Sequence, residues 1–171
     1  MKKYPWILIA LVFVAAFSRL IPHPDNFTPL TVLSLLGVSY FKKASQSFLF
    51  PVLALFLSDC VLGFYPYMWA VYAAFVMISF GGFFFVKKLT YIQKISFVIP
   101  VSVFFFLFTN TAFFFQSNLY PKTSAGFVAC LVAGIPFFRN ALLGDLFYGV
   151  LFFGAAELVV RDKFIKAAYS S

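Results

Sequence analysis

Asp59, Asn110 and Asp145 stand inside otherwise apolar runs, and they are the first residues with which this chain could do chemistry. A charge at the centre of a bilayer costs about 2.5 to 3.5 kcal/mol on insertion scales, so each needs a partner or a task. Around them in the sequence stand His23, held between Pro22 and Pro24, then Asp25, Asn26 and Thr28, and further on Thr109, Tyr120, Arg139 and Asn140. Carboxylates accept hydrogen bonds from the N–H or O–H groups of a small molecule, carboxamides fix its orientation, and an arginine pairs with an anion or with one of the acids. Catalytic spacing is missing: there is no H-E-x-x-H, no G-x-S-x-G, no phosphate loop and no cluster of acids for a metal-dependent transferase. A metal reading of His23, Asp59 and Cys60 has no ligand spacing behind it. The expected chemistry is binding, with no catalytic residue, no metal and no cofactor.

The elements that must position these residues follow from composition. The chain has 171 residues, 63% of them hydrophobic and 11% charged, against roughly 45 to 50% apolar and about 25% charged in soluble domains. That excludes a soluble enzyme, a disulfide scaffold and a disordered tail, and predicts an all-α integral membrane protein. The net charge of +8 does not point to nucleic acid, because the basic residues fall in short clusters between apolar runs, the pattern of charges that set membrane topology. Most of the 28 phenylalanines are read as lipid-facing bulk, and Tyr4, Trp6, Tyr65, Tyr67, Trp69 and Tyr120 as interfacial residues.

Apolar runs predict spans at about 5–20, 29–41, 48–63, 68–86, 95–115 and 140–160, in one transmembrane domain over residues 1–171. About 20 helical residues cross a hydrocarbon core of about 30 Å, so the run from Ser124 to Val160 is too long for one crossing. A break at Ile135-Pro136 to Arg139-Asn140 is expected, leaving 124–138 as a re-entrant or in-plane helix on the outer side. With six spans and both termini cytoplasmic, Lys2, Lys3, Lys42, Lys43, Lys87, Lys88, Lys94, Arg161, Lys163 and Lys166 face inward, ten of the 13 basic residues. Seven spans would reduce the split to eight against five, so the positive-inside rule favours six. Lys2, Lys3 and Trp6 to Val14 also fit a signal peptide, but a retained first helix suits the charges better.

Local chemistry refines this layout. Asn26 or Thr28 is expected to cap a helix starting at Pro29, and Pro66 to begin the fourth span. Pro29 to Phe41 is short for a crossing, so the loop from Pro22 to Thr28 is expected to dip into the membrane, which non-helical backbone does only where protein or a wet cavity covers it. Counted from the predicted outer helix ends, Asp59, Asn110 and Asp145 share one depth, about 6 to 8 Å down. The candidate ligand-binding set is His23, Asn26, Thr28, Asp59, Asn110, Tyr120, Arg139, Asn140 and Asp145, in an outward-facing pocket walled by aromatics. The competing reading has Asp59 and Asp145 paired with Arg19 or Arg139 as helix glue. Gly126, Cys130 and Gly134 recur every four residues, a small-residue face expected to pack on a neighbouring span and roof the cavity. Ala70 and Ala74 form a weaker pair.

Pro22-His23-Pro24-x-Asn26-Phe27-Thr28-Pro29, Ser58-Asp59 with Gly63, Thr109-Asn110, Tyr120-Pro121-x-Thr123 with Gly126, and Gly134-Ile135-Pro136-Phe137-Phe138-x-Asn140 with Gly144-Asp145-Leu146 resemble the motif set of a small uncharacterised bacterial membrane family. That family is similar to the substrate-binding S-components of energy-coupling factor (ECF) vitamin transporters. The resemblance implies a compact six-helix bundle in the bacterial inner membrane that captures a vitamin or similar micronutrient from the outer side. It also implies a membrane coupling subunit with cytoplasmic ATPases as partner, on which an S-component docks and topples. Many S-components carry an Ala-xxx-Ala docking face in the first span; Ala10, Ala15 and Ala16 depart from that spacing, which leaves a solitary transporter open. Some solitary cobalamin-binding S-components use a cysteine as cobalt ligand, which directs attention to Cys60. The alternatives are a non-catalytic structural or assembly subunit of a membrane complex and, more remotely, a membrane enzyme acting on lipid or quinone.

Overall fold

The computed structural model describes the backbone of residues 5–40 and 44–168 and the side chains of residues 10, 12–39 and 47–157. Among the described residues six α-helices follow one another: α1 (Pro5–Ser18), α2 (Leu30–Tyr40), α3 (Ala44–Leu62), α4 (Met68–Phe85), α5 (Tyr91–Gln116) and α6 (Ser124–Ala168), with a 3₁₀ turn at Val86–Lys88. Among the described residues there is no strand. Three stretches of the described residues, Met68–Lys88, Tyr91–Gln116 and Ser124–Glu157, are long and apolar enough to cross a membrane. Lys2, Lys3, Tyr4, Trp6, Lys42, Lys43, Arg161, Lys163 and Lys166, on which much of the topology reading rests, lie outside the described side chains.

The short α2 is the axis of the bundle. Its Leu30, Val32, Leu33, Leu35, Leu36 and Val38 are all buried, and it packs against every other helix, as a helix apolar on all sides must. Eleven residues rise only about 16 Å, half of a hydrocarbon core. The segment from Arg19 to Pro29 that leads into α2 is not helical. The Pro29 carbonyl accepts the first helical bond, from Leu33 N–H at 2.8 Å; neither Asn26 nor Thr28 caps α2 with its side chain among the described hydrogen bonds. Gly37 permits the close crossing of α2 and α3, since a Cβ there would stand 2.7 Å from the Ser47 carbonyl oxygen.

The expected break in the last run is absent. α6 continues through Pro136 for 45 residues, about 67 Å by the helical rise, so 124–138 is neither a re-entrant nor a separate in-plane helix. A proline inside a helix costs about 3 kcal/mol. Unwinding several residues in apolar surroundings would strip several backbone groups of partners, each at a cost of several kcal/mol. Continuity is therefore the cheaper state, and α3 and α5 likewise run through Pro51 and Pro100. Contacts with α5 hold α6 on both sides of the proline: the Phe138 ring packs tilted against Phe106 at 4.9 Å between ring centroids, and Gly134 lies under Asn110. α5 itself begins earlier than its apolar run, because Thr90 and Gln93 form a reciprocal capping box that satisfies two free donors of the first turn. α4 begins at Met68, two residues beyond Pro66.

Candidate functional site

The α1–α2, α3–α4 and α5–α6 connections gather at one end of the bundle, and a cavity of about 540 Å³ opens there. Its polar wall is Arg19, His23, Asp25, Asn26, Thr28, Thr31, Tyr65 and Asp145, and its apolar wall includes Phe75, Phe105 and Phe137. The size falls within the range of small-molecule sites, roughly 300 to 1,000 Å³.

The loop between α1 and α2 forms the mouth. A turn closed by Phe27 N–H to the Pro24 carbonyl, 3.0 Å, puts Asn26 in the left-handed region at φ 63°, a conformation asparagine tolerates better than most side chains. Phe27 then plugs the loop onto α6 between Phe147 and Tyr148, with ring centroids 5.9 and 5.7 Å away. Gly144 makes room for it: a Cβ there would be 3.0 Å from Phe27 Cα. His23 Nδ1 lies 2.8 Å from the Pro24 carbonyl oxygen. A carbonyl only accepts, so Nδ1 carries the proton and Nε2, buried without a hydrogen-bond partner, is left as an acceptor in the neutral ring.

The two buried aspartates differ in their surroundings. Asp59 lies in the wall behind Arg19, fully buried, with Arg19 Nη1 at 2.7 Å from its Oδ1 and the Tyr72 hydroxyl donating to its Oδ2 at 2.9 Å. The arginine approaches that oxygen as a contact ion pair, off the line of a hydrogen bond. Its Nη1 also donates to the Ser58 hydroxyl. Asp145, 3% exposed, lines the cavity itself and is met by hydroxyls alone: Ser102 donates to its Oδ2 at 2.6 Å, and Thr31 is its other side-chain partner. Among the described residues no cation pairs with it. At the mouth, burial raises the Tyr65 phenol above its ordinary pKa, Asp59 adds to this and Arg19 opposes it, so the hydroxyl remains a donor.

The expectation of one shared depth is corrected. Asp145 bonds Ser102 while Asn110 stands over Gly134, and Ser102 and Asn110 are eight residues apart on α5, about 12 Å. The unbroken α6 starts at Ser124, so Asp145 is far from its helix end. Asn110 and Asp145 therefore stand at different levels of the bundle rather than in one layer.

Of the nine expected ligand-binding residues, His23, Asn26, Thr28 and Asp145 line the cavity, and Asp59 reaches it through Arg19. Asn110 lines a smaller hollow of about 300 Å³ with Asn26, Tyr65 and Tyr67; its amide donates to the Phe106 carbonyl at 2.9 Å. Tyr120, Arg139 and Asn140 line neither, and Arg139 is exposed on the outside of α6. The small-residue face packs as expected, with Gly126 against Pro121 and Cys130 Sγ 3.8 Å from the Asn110 carbonyl oxygen, yet α6 meets the main cavity only from Phe137 onward, so this face does not roof it. Cys60 is exposed and outside the cavity lining. Thr31 and Ser102 carried no sequence signal, since a hydroxyl in an apolar helix ordinarily bonds its own i−4 carbonyl, as Ser102 also does to Val98 at 2.9 Å.

Fold and cavity together define a helical bundle of membrane type with a polar cavity among its helix ends. Residues 1–168 match DUF6580, a family of unknown function, and the chain belongs to that family. Comparison with curated proteins and with solved structures finds no match.

Proposed function

We propose that this protein is an S-component-like membrane protein that binds a small micronutrient, a vitamin or related compound, in an outward-facing cavity for uptake across a bacterial inner membrane. The observation that carries the reading is Asp145, a carboxyl buried at the cavity wall with hydroxyl partners only. Leaving a charge-capable group so placed lowers stability, and a ligand that completes its hydrogen bonding gives it a purpose. In this reading all six helices cross, with both termini cytoplasmic. Lys87 and Lys88 in the α4–α5 connection, and Lys94 in the first turn of α5, support that direction, because they stand at the end away from the cavity, where the positive-inside rule wants them.

Ala15 and Ala16 are buried within the bundle while Ala10 is exposed. They offer no joint face for docking on an ECF coupling subunit, which favours solitary operation. A second reading has its own observation: the Arg19–Asp59 pair with Tyr72 ties α1, α3 and α4 together, as in a non-catalytic structural or assembly subunit. Native mass spectrometry of the gently purified protein separates the two. A stoichiometric small molecule retained by the wild type and absent from Asp145→Ala supports uptake. A stable, empty protein that co-purifies with another membrane subunit supports the assembly reading.

A further inference from the structure

The walls of the cavity also restrict what could fill it. Arg19 is its one guanidinium among the described residues, and Asp59 already neutralises it at 2.7 Å. Asp25, exposed at the mouth, and Asp145, buried deeper, are two further carboxylates that line the space with no described cation beside them. His23 adds an Nε2 that accepts, because Pro24 fixes the proton on Nδ1. The hydrophobic part of the wall includes Phe75, Phe105 and Phe137, with Tyr65 at the rim, and aromatic faces attract cations by about 0.5 to 2 kcal/mol. A chain whose net charge is +8 thus surrounds its cavity with more negative than positive groups and with free acceptors.

Resting on the binding role proposed above, we infer that the cavity takes a small organic cation bearing at least one N–H donor, drawn in past Asp25 and held against Asp145. The cation brings the charge that the Ser102 and Thr31 hydroxyls do not supply, and its N–H serves the acceptors. An anionic ligand would meet the Asp25 carboxylate at the mouth and Asp145 below it, and would need Arg19 released from Asp59.

The test uses the full-length protein in phosphatidylcholine nanodiscs, equilibrated at pH 7 with an unfractionated small-molecule extract of bacterial cells. After removal of free solutes, bound compounds are identified by mass spectrometry and sorted by charge. The expected result is enrichment of cations carrying N–H groups, reduced about tenfold or more in Asp145→Asn, the size of one hydrogen bond to a charged group, and several-fold in Asp25→Asn. Because Asp25 is exposed on a loop, its variant keeps the test valid even if Asp145→Asn does not fold. Enrichment of anions or neutral compounds by the wild type overturns the inference, as does equal enrichment of cations by a folded Asp145→Asn protein. Enrichment of nothing by the wild type overturns the binding role itself, which separates the two failures.

Discussion

Asp59 and Asp145 are the same residue type, both buried at one end of one bundle, yet they are satisfied in opposite ways. Asp59 is answered from within by Arg19 and Tyr72; Asp145 has two hydroxyls and a cavity. The Asp59 charge is neutralised by a contact ion pair and one of its oxygens is bonded by a hydroxyl from a third helix, so the Asp59 cluster reads as a joint between helices. A buried carboxyl met only by neutral donors, and lining a cavity, has no charge partner of its own, and the binding role proposed above supplies one. Intramembrane acids are thus not one class: the partner set decides whether such a residue holds the fold or serves the cavity.

The sharpest way to break this comparison is Asp59→Asn. Removing one member of a buried pair leaves the arginine uncompensated, and a loss of about 3 kcal/mol is expected, seen as a large drop in thermal unfolding temperature in detergent. Replacing both partners, Arg19→Met with Asp59→Leu, should recover most of that loss, because the cost lies in the stranded charge. Next in size is Gly134→Leu. Its side chain would enter space where a Cβ already lies 2.6 Å from Asn110 Oδ1 and 2.8 Å from Phe106, so overpacking of α5 on α6 should cost about 1 to 3 kcal/mol, measured by the same unfolding assay.

Asp145→Asn keeps the shape and an acceptor for Ser102. Its unfolding temperature should stay close to that of the wild type while retention of the bound compound falls about tenfold. Gly144→Ala should act more gently and through the loop. With a Cβ 3.0 Å from Phe27 Cα, Phe27 must shift by a few tenths of an ångström, and binding should weaken a few-fold with little change in unfolding. Arg139→Ala should change stability by no more than about 0.5 kcal/mol and leave binding unchanged, since the side chain is exposed outside the cavity.

The helical class and most helix positions were legible in the sequence, because both follow from apolar length and from the cost of unpaired backbone in apolar surroundings. His23, Asn26, Thr28 and Asp145 were legible for the same reason: polar residues in such places are rare enough to notice. Arg139 and Asn140 mislead because Pro136 beside them signals a helix break, whereas an apolar environment penalises the unwound state more than the continuous helix. That single difference moved the start of α6 to Ser124 and carried Asp145 about 12 Å below Asn110. Thr31 and Ser102 were invisible, since only tertiary contact distinguishes a hydroxyl bonded to its own helix from one shared with a carboxyl on another.

The central claim is that Asp59 holds the bundle and Asp145 holds the ligand. Its most direct test is to measure, side by side in one detergent, the unfolding temperature and the native-mass occupancy of wild type, Asp59→Asn and Asp145→Asn. The account predicts a large fall in unfolding temperature for Asp59→Asn, near wild-type stability for Asp145→Asn, and a bound small molecule that only Asp145→Asn loses while remaining folded. Equal destabilisation by both substitutions, with no small molecule in any of the three proteins, would contradict it.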